Sequence, residues 1–159
     1  TNKGDIDIIN VHLRSLRLTN EEKRQYGNLS ELNGKVDSQS SSTMKSIIKK
    51  VADAAKNRAR QAEKLREYIN NIDNDNIIVC GDFNDVPNCY AINTIGENFD
   101  DAYAECGFGP MITYHGDKLY FRIDHILYDG DIEATSITRD DIDRSDHYPL
   151  LVTFHWDND

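Results

Sequence analysis

The sequence predicts an α/β (α+β) domain with a mixed sheet, and three observations carry the prediction. DIDIINVHL at 5–13 alternates and then turns apolar, as a strand does. Apolar residues at three- and four-residue steps over 44–72 describe a long helix. The remainder returns to short strand-like runs separated by turn residues.

In order along the chain, the first strand ends near His12. Thr19 and Glu22 have the spacing of a capping box and should open a short helix running to about Tyr26. Residues 27–42, GNLSELNGKVDSQSSS, are polar and Gly/Ser-rich, which predicts a mobile loop. Its Asn28-Leu29-Ser30 triplet is a sequon of a kind common by chance. The long helix places Met44, Ile47, Ile48, Val51, Ala54, Ala55, Ala62, Leu65, Ile69 and Ile72 on its apolar stripe, with Lys and Arg between. Ser42 or Thr43 is its expected cap, and NNIDNDN ends it. DNDN at 73–76 lacks the glycine and glutamate of a calcium loop and reads as a solvated turn. A strand at 77–81 follows, then two short helical pieces, CYAINTIGENF and DDAYAECG. LYFRIDHILYD at 119–129 is strand-like, and the DGD turn predicts a hairpin with IEATSITR. HYPLLVTFHW at 147–156 is the last strand, with Pro149 near its start, where a missing donor is tolerated.

The 159 residues suit one domain, and 38% apolar with 29% charged residues suits a globular chain. No run approaches the roughly 18 apolar residues of a membrane span, and the first residues lack the basic-then-apolar pattern of a signal peptide. A formal charge of −10 argues against general nucleic-acid binding, which rests on phosphate neutralisation by Lys and Arg. Cys80, Cys89 and Cys106 are too few and too irregularly spaced for a disulfide framework or a zinc site. Cys80 reads as a small core residue, the other two as free thiols.

Polar chemistry concentrates at four strand ends: His12; Asp82, Asn84 and Asp85; Asp124 and His125; Asp146 and His147. Oxygen-rich sites without sulfur suit hard cations such as magnesium or manganese. A histidine beside a carboxylate suits proton transfer, because the acid fixes the tautomer. Asn84 could donate its amide hydrogens to a phosphoryl oxygen. Together these are the parts of a metal-assisted phosphoester hydrolase. Each stretch alone is weak: Ser145-Asp146-His147 by itself reads more readily as a turn leading into a helix or a strand. Their recurrence at four strand ends is what carries weight.

NVHL (10–13), GDFN (81–84), RIDHI (122–126) and SDHYP (145–149) stand in an order and spacing that resembles the endonuclease/exonuclease/phosphatase superfamily. The stretches HLRSLRLTNEEK and YFRIDHIL are most similar to bacterial members from the Bacteroidetes. The resemblance runs from about residue 5 to 156. It implies a deoxyribonuclease-I-like fold, of which this chain is half: half of a two-sheet β-sandwich flanked by helices. It also implies Mg2+ or Mn2+ as cofactor. By resemblance, His147 contacts the scissile phosphate, Asp124 orients it, and Asp82 positions or deprotonates the attacking water. Asn84 binds phosphate, Asp146 and Asp82 bind metal, and His12 lies near the leaving group. His125, one position from Asp124, should face the other way and be structural. Arg14 and Arg17 read equally as phosphate contacts or solvated charges, and Tyr114 and Tyr120 as core or rim aromatics.

The family's first half, with its asparagine and metal-binding glutamate, has no counterpart in this sequence. Residues 1–159 therefore resemble the C-terminal portion of one such domain with the N-terminal half absent. The expected partners are a phosphoester (a small molecule, a lipid headgroup or a nucleic acid), the missing half, and a second copy through an exposed sheet. Two functions remain in view. One is a metal-dependent phosphodiesterase, nuclease or phosphatase whose isolated half is weak or inactive. The other is a non-catalytic binding or assembly half-domain.

Overall fold

The computed structural model describes residues 4–27, 38–116, 119–142 and 144–157. Strand β1 (Asp7–His12) is followed by helix α1 (Asn20–Gly27) and the 32-residue helix α2 (Ser38–Ile69). Then come β2 (Ile77–Asp82), α3 (Tyr90–Ile95), β3 (Asp100–Asp101), α4 (Ala102–Cys106), β4 (Asp124–Asp129), β5 (Ile132–Arg139) and β6 (Leu150–Trp156). The first four strands form a mixed sheet in the order β1-β2-β4-β3, and β5 pairs with β6 in a second, antiparallel sheet. β1 runs parallel to β2, which requires the long crossover that α1 and α2 supply. β4 runs antiparallel to both its neighbours.

The layers follow from which side chains each strand turns to which face. Ile77, Val79 and Leu127 join Ala62 and Ile69 of α2 and Ala91, Ile92 and Ile95 of α3 in one core. Ile78 and Tyr128, one residue out of step, face the other way and join Ile132, Ala134 and Ile137 of β5 and Ala102 of α4 in a second core. Full burial of an aliphatic side chain contributes roughly 1.5–3 kcal/mol, and Val79 is completely buried. On α2 the inward stripe runs Ile47, Val51, Ala54, Arg58, Ala62, Leu65 and Ile69. Ile48, predicted for that stripe, is exposed, because one residue turns about 100° from Ile47. None of the helices among the described residues is long and apolar enough to cross a membrane.

The capping box forms as expected: Thr19 Oγ1 accepts from the Glu22 N–H, and Glu22 Oε2 accepts from the Thr19 N–H. Three expectations need correction. The long helix starts at Ser38 rather than at a Ser42 or Thr43 cap; serine is only modestly unfavourable in a helix, about 0.5 kcal/mol, so extension costs little. The rest of the loop at 28–37, with its sequon, lies outside the described residues. The strand at 119–129 begins only at Asp124; before it, Phe121 bridges to Tyr114. Finally, β4 and β5 form no hairpin. β4 is an inner strand whose Leu127 and Tyr128 are already paired with Asp101 and Asp100, so β5 has no edge to join. The Asp129–Asp131 turn instead binds Asn76, whose Oδ1 accepts from the Asp131 N–H at 2.8 Å, and the chain crosses to the second sheet.

Candidate active site

The site is built on strand register. His12 lies opposite Asp82, and Asp82 lies opposite Asp124, so three neighbouring strands present these residues in one row. Residues in register share a face, and this face is the one Ile78 and Tyr128 occupy further down the same strands. The row ends the parallel pair β1–β2 at its carboxyl side, where sheets of this kind bind ligands. Gly81 makes the close pairing possible. Its φ is +135°, and a Cβ there would lie 2.1 Å from the Val11 carbonyl oxygen.

His147 reaches the row from the loop before β6. Its Nδ1 donates to Asp124 Oδ2 at 2.9 Å, which turns Nε2 toward Asp82 Oδ2, 3.9 Å away. The ring packs edge-on against Tyr114, with centroids 5.1 Å apart. On the other flank, His12 Nε2 is 3.5 Å from Asp82 Oδ2, and its side chain is largely exposed. Asp82 is held by the residue two ahead: the Asn84 N–H donates to Oδ1 and the Asn84 amide to Oδ2, each at 2.8 Å. Asn84 adopts φ +51°, a left-handed conformation that asparagine tolerates well. Burial pushes the Asp82 carboxyl above its ordinary range, and the Asp124 charge adds to the rise; the Asn84 N–H, His147 and His12 oppose it.

Single carboxylate oxygens of Asp82 and Asp124 and a ring nitrogen of His147 lie within 4.8 Å of one another. Two hard oxygens and an imidazole are donors that magnesium or manganese accepts. A cavity of about 810 Å³ opens over the row, and Asp146, Arg17 and Tyr114 also line it.

The sequence-derived candidates sort clearly. His12, Asp82, Asn84, Asp124 and His147 come together. Asp146, expected as a metal ligand, faces the same cavity but stands outside the three-donor group. Its carbonyl accepts from the His115 N–H at 2.9 Å. The Asn84 amide, expected to meet phosphate, donates instead to Asp82 and to the Leu13 carbonyl at 3.1 Å. His125 points to the helix side as expected, buried edge-on against Phe83, with Nε2 3.0 Å from the Asp85 carbonyl. Arg14 lies off the cavity, its backbone bonded to Gln61 and Arg58, and Tyr120 is exposed. Burial, with Asp85 nearby, pushes the Cys89 thiol up to about 11, far from an activated nucleophile.

Sequence reading missed two features. Arg58, on the apolar stripe of α2, is buried and donates through Nε to Asp85 at 2.9 Å and through Nη1 to the Arg14 carbonyl at 3.0 Å. A charged residue at a stripe position was the available signal. Thr113 and His115, which hydrogen-bond to the Asp124 N–H and to the Ser145 and Asp146 carbonyls, left no signal in the sequence.

The profile of the endonuclease/exonuclease/phosphatase family matches residues 48–147, a span that includes Asp82, Asp124 and His147. The chain belongs to this family. Solved structures agree on the fold. An endonuclease/exonuclease/phosphatase from Bacteroides vulgatus is similar at 24% identity and a TM-score of 0.55, over 64% of this chain and 45% of its own. A family protein from Bacteroides thetaiotaomicron is similar at 19% identity and a TM-score of 0.50, over 63% and 45%. A functionally unknown conserved protein from Enterococcus faecalis matches 98% of this chain and 52% of its own, at 19% identity and a TM-score of 0.52. The chain thus spans about half the length of these relatives. None of the curated proteins matches the sequence significantly. The two sheets with flanking helices agree with the deoxyribonuclease-I-like fold expected from the motifs.

Proposed function

We propose that this chain carries the reaction centre of a divalent-metal-dependent phosphoester hydrolase, acting on diesters before monoesters. The observation that supports it best is the in-register row His12–Asp82–Asp124 with His147 hydrogen-bonded to its end. Asp124 keeps the proton on Nδ1 of His147, so Nε2 faces the cavity and is free to give or take a proton at the phosphoester. Asp82, oriented by Asn84 and partly desolvated, is placed to accept a proton from an attacking water. His12, exposed at the far flank, is placed to protonate a leaving oxygen. Asp82 would hold the cation, and Asp146 would join from the cavity wall. The ion, when bound, supplies Lewis-acid neutralisation of phosphoryl charge. A further half of the domain, outside this chain, completes the metal ligands in this reading.

The test is hydrolysis of bis(p-nitrophenyl) phosphate by the full-length protein with magnesium, manganese or chelator. His147→Ala and Asp82→Asn should each lower kcat at least about 100-fold, as loss of an acid–base group does. Turnover indifferent to chelator and to both substitutions refutes the mechanism.

A further inference from the structure

Asp124 and His147, joined by their hydrogen bond into a dyad, both contact a segment that no part of the mechanism uses. Asp124 opens β4, and β3 reaches only Leu127 and Tyr128 of that strand. The N–H groups of Ile123 and Asp124 find their acceptor outside the sheet. Thr113 supplies it: its fully buried hydroxyl oxygen accepts from both, each at 3.1 Å. The same residue reaches the other member of the dyad. Its carbonyl accepts from the Tyr148 N–H at 2.7 Å, one residue beyond His147. Two residues on, His115 takes hold of the loop before His147. Its N–H donates to the Asp146 carbonyl at 2.9 Å, and its Nε2 meets the Ser145 carbonyl at 3.0 Å. Its ring stacks on Tyr148 at 4.1 Å, and Arg139 covers that tyrosine at 4.2 Å.

We propose that Thr113 and His115 are positioning residues: the 113–115 segment clamps Asp124 and the 145–148 loop to one support and so sets the hydrogen bond between Asp124 and His147. The two dyad residues are 23 positions apart and come from a strand and a loop that do not pair with each other. Among the described residues, the 113–115 segment is hydrogen-bonded to both: Thr113 to the Asp124 N–H and to the Tyr148 N–H, and His115 to the Ser145 and Asp146 carbonyls. A carboxylate displaced by an ångström no longer holds the imidazole tautomer, while the cavity that binds substrate is unchanged. Such a fault appears in kcat and spares KM.

The proposal rests on the hydrolase reading for its kinetic arm and is independent of it for its spectroscopic arm. Imidazole 1H–15N spectra of the chain should show a downfield, exchange-protected Nδ1–H of His147, the mark of a carboxylate partner. Thr113→Val keeps the branched shape and removes the acceptor; it should erase that resonance while the amide spectrum stays dispersed. Thr113→Ser, which retains the hydroxyl, should restore it. In the full-length protein, Thr113→Val should lower kcat about 10- to 100-fold with KM within about twofold, the scale of a lost orienting partner, and serine should rescue it. A wild-type chain without the resonance, or a valine variant that keeps it, overturns the proposal. If Thr113→Val loses its dispersed spectrum, His115→Phe decides. It preserves the stack on Tyr148 and removes the ring nitrogen. A weakened resonance supports the clamp, and an unchanged one overturns it. Absence of hydrolysis in the wild type counts against the hydrolase reading alone, and the spectra then decide this one.

Discussion

Replacing Gly81 by alanine tests the packing that makes the row. Gly81 pairs with Val11, one step before His12 pairs with Asp82. A methyl group there would lie 2.1 Å from the Val11 carbonyl oxygen and 2.8 Å from Asn10 Oδ1. The first is a backbone atom in a paired strand and cannot swing aside. Two costs add. A side chain held at φ +135° costs about 1–3 kcal/mol, and forcing a methyl group into a filled space costs about 1–3 kcal/mol more. The sum is about 4 kcal/mol. At roughly 2–4 °C per kcal/mol for a domain of this size, Tm should fall by about 8–16 °C. Gly109→Ala is the control: its φ is +71°, but nothing lies within 4 Å of a new Cβ. It should carry the conformational cost alone, about 1–2 kcal/mol. Thermal unfolding followed by circular dichroism on both variants separates clash from strain. A Gly81→Ala chain no less stable than the Gly109→Ala chain refutes the close-approach argument.

Two further outcomes are expected. Arg58→Ala removes a guanidinium buried against Asp85 and strands that carboxylate, so urea unfolding should show a loss of about 3–5 kcal/mol; a loss under about 1 kcal/mol contradicts the buried pair. Acid should destabilise the fold in two stages. Desolvation keeps the His125 pKa below 6.5, so the unfolded chain binds the extra proton and stability falls as pH drops below 6.5. The Lys50 ammonium, the Thr19 N–H and Ser46 hold the Glu22 carboxyl down at about 2 against 4.5, so its contribution is complete above 4.5 and lost as pH falls from there toward 2. Glu22→Gln should lose the second stage, and melting curves that stay parallel to wild type below 4.5 exclude this role.

Much of the fold, and most of the residues that it brings together in the candidate site, were legible in the sequence itself. Hydrophobic period is local, so the α2 helix and strands β1, β2 and β6 showed in the pattern, and the Thr19–Glu22 box located α1 because capping involves residues three apart. His12, Asp82, Asn84, Asp124 and His147 stood at strand ends in an ordered set of short motifs. Pairing was not legible, because it is a competition between segments far apart. The Asp129–Asp131 turn looked like a hairpin, and only the occupation of β4 by β2 and β3 sent β5 to a second sheet. The Asn84 amide likewise met nearer acceptors in Asp82 and Leu13.

By itself the sequence determined which groups can do chemistry: carboxylates, imidazoles and an amide at the ends of strands, in numbers and order that belong to one family. The tertiary structure alone decided which of them meet. Register across three strands set His12, Asp82 and Asp124 side by side, and the buried Thr113 and the stacked His115 hold the loop that brings His147 to them. Side-chain type is written residue by residue. A separation of a few ångströms between residues some seventy positions apart, as between His12 and Asp82, is a property of the packed chain, set by which hydrogen bonds and apolar contacts can be satisfied together.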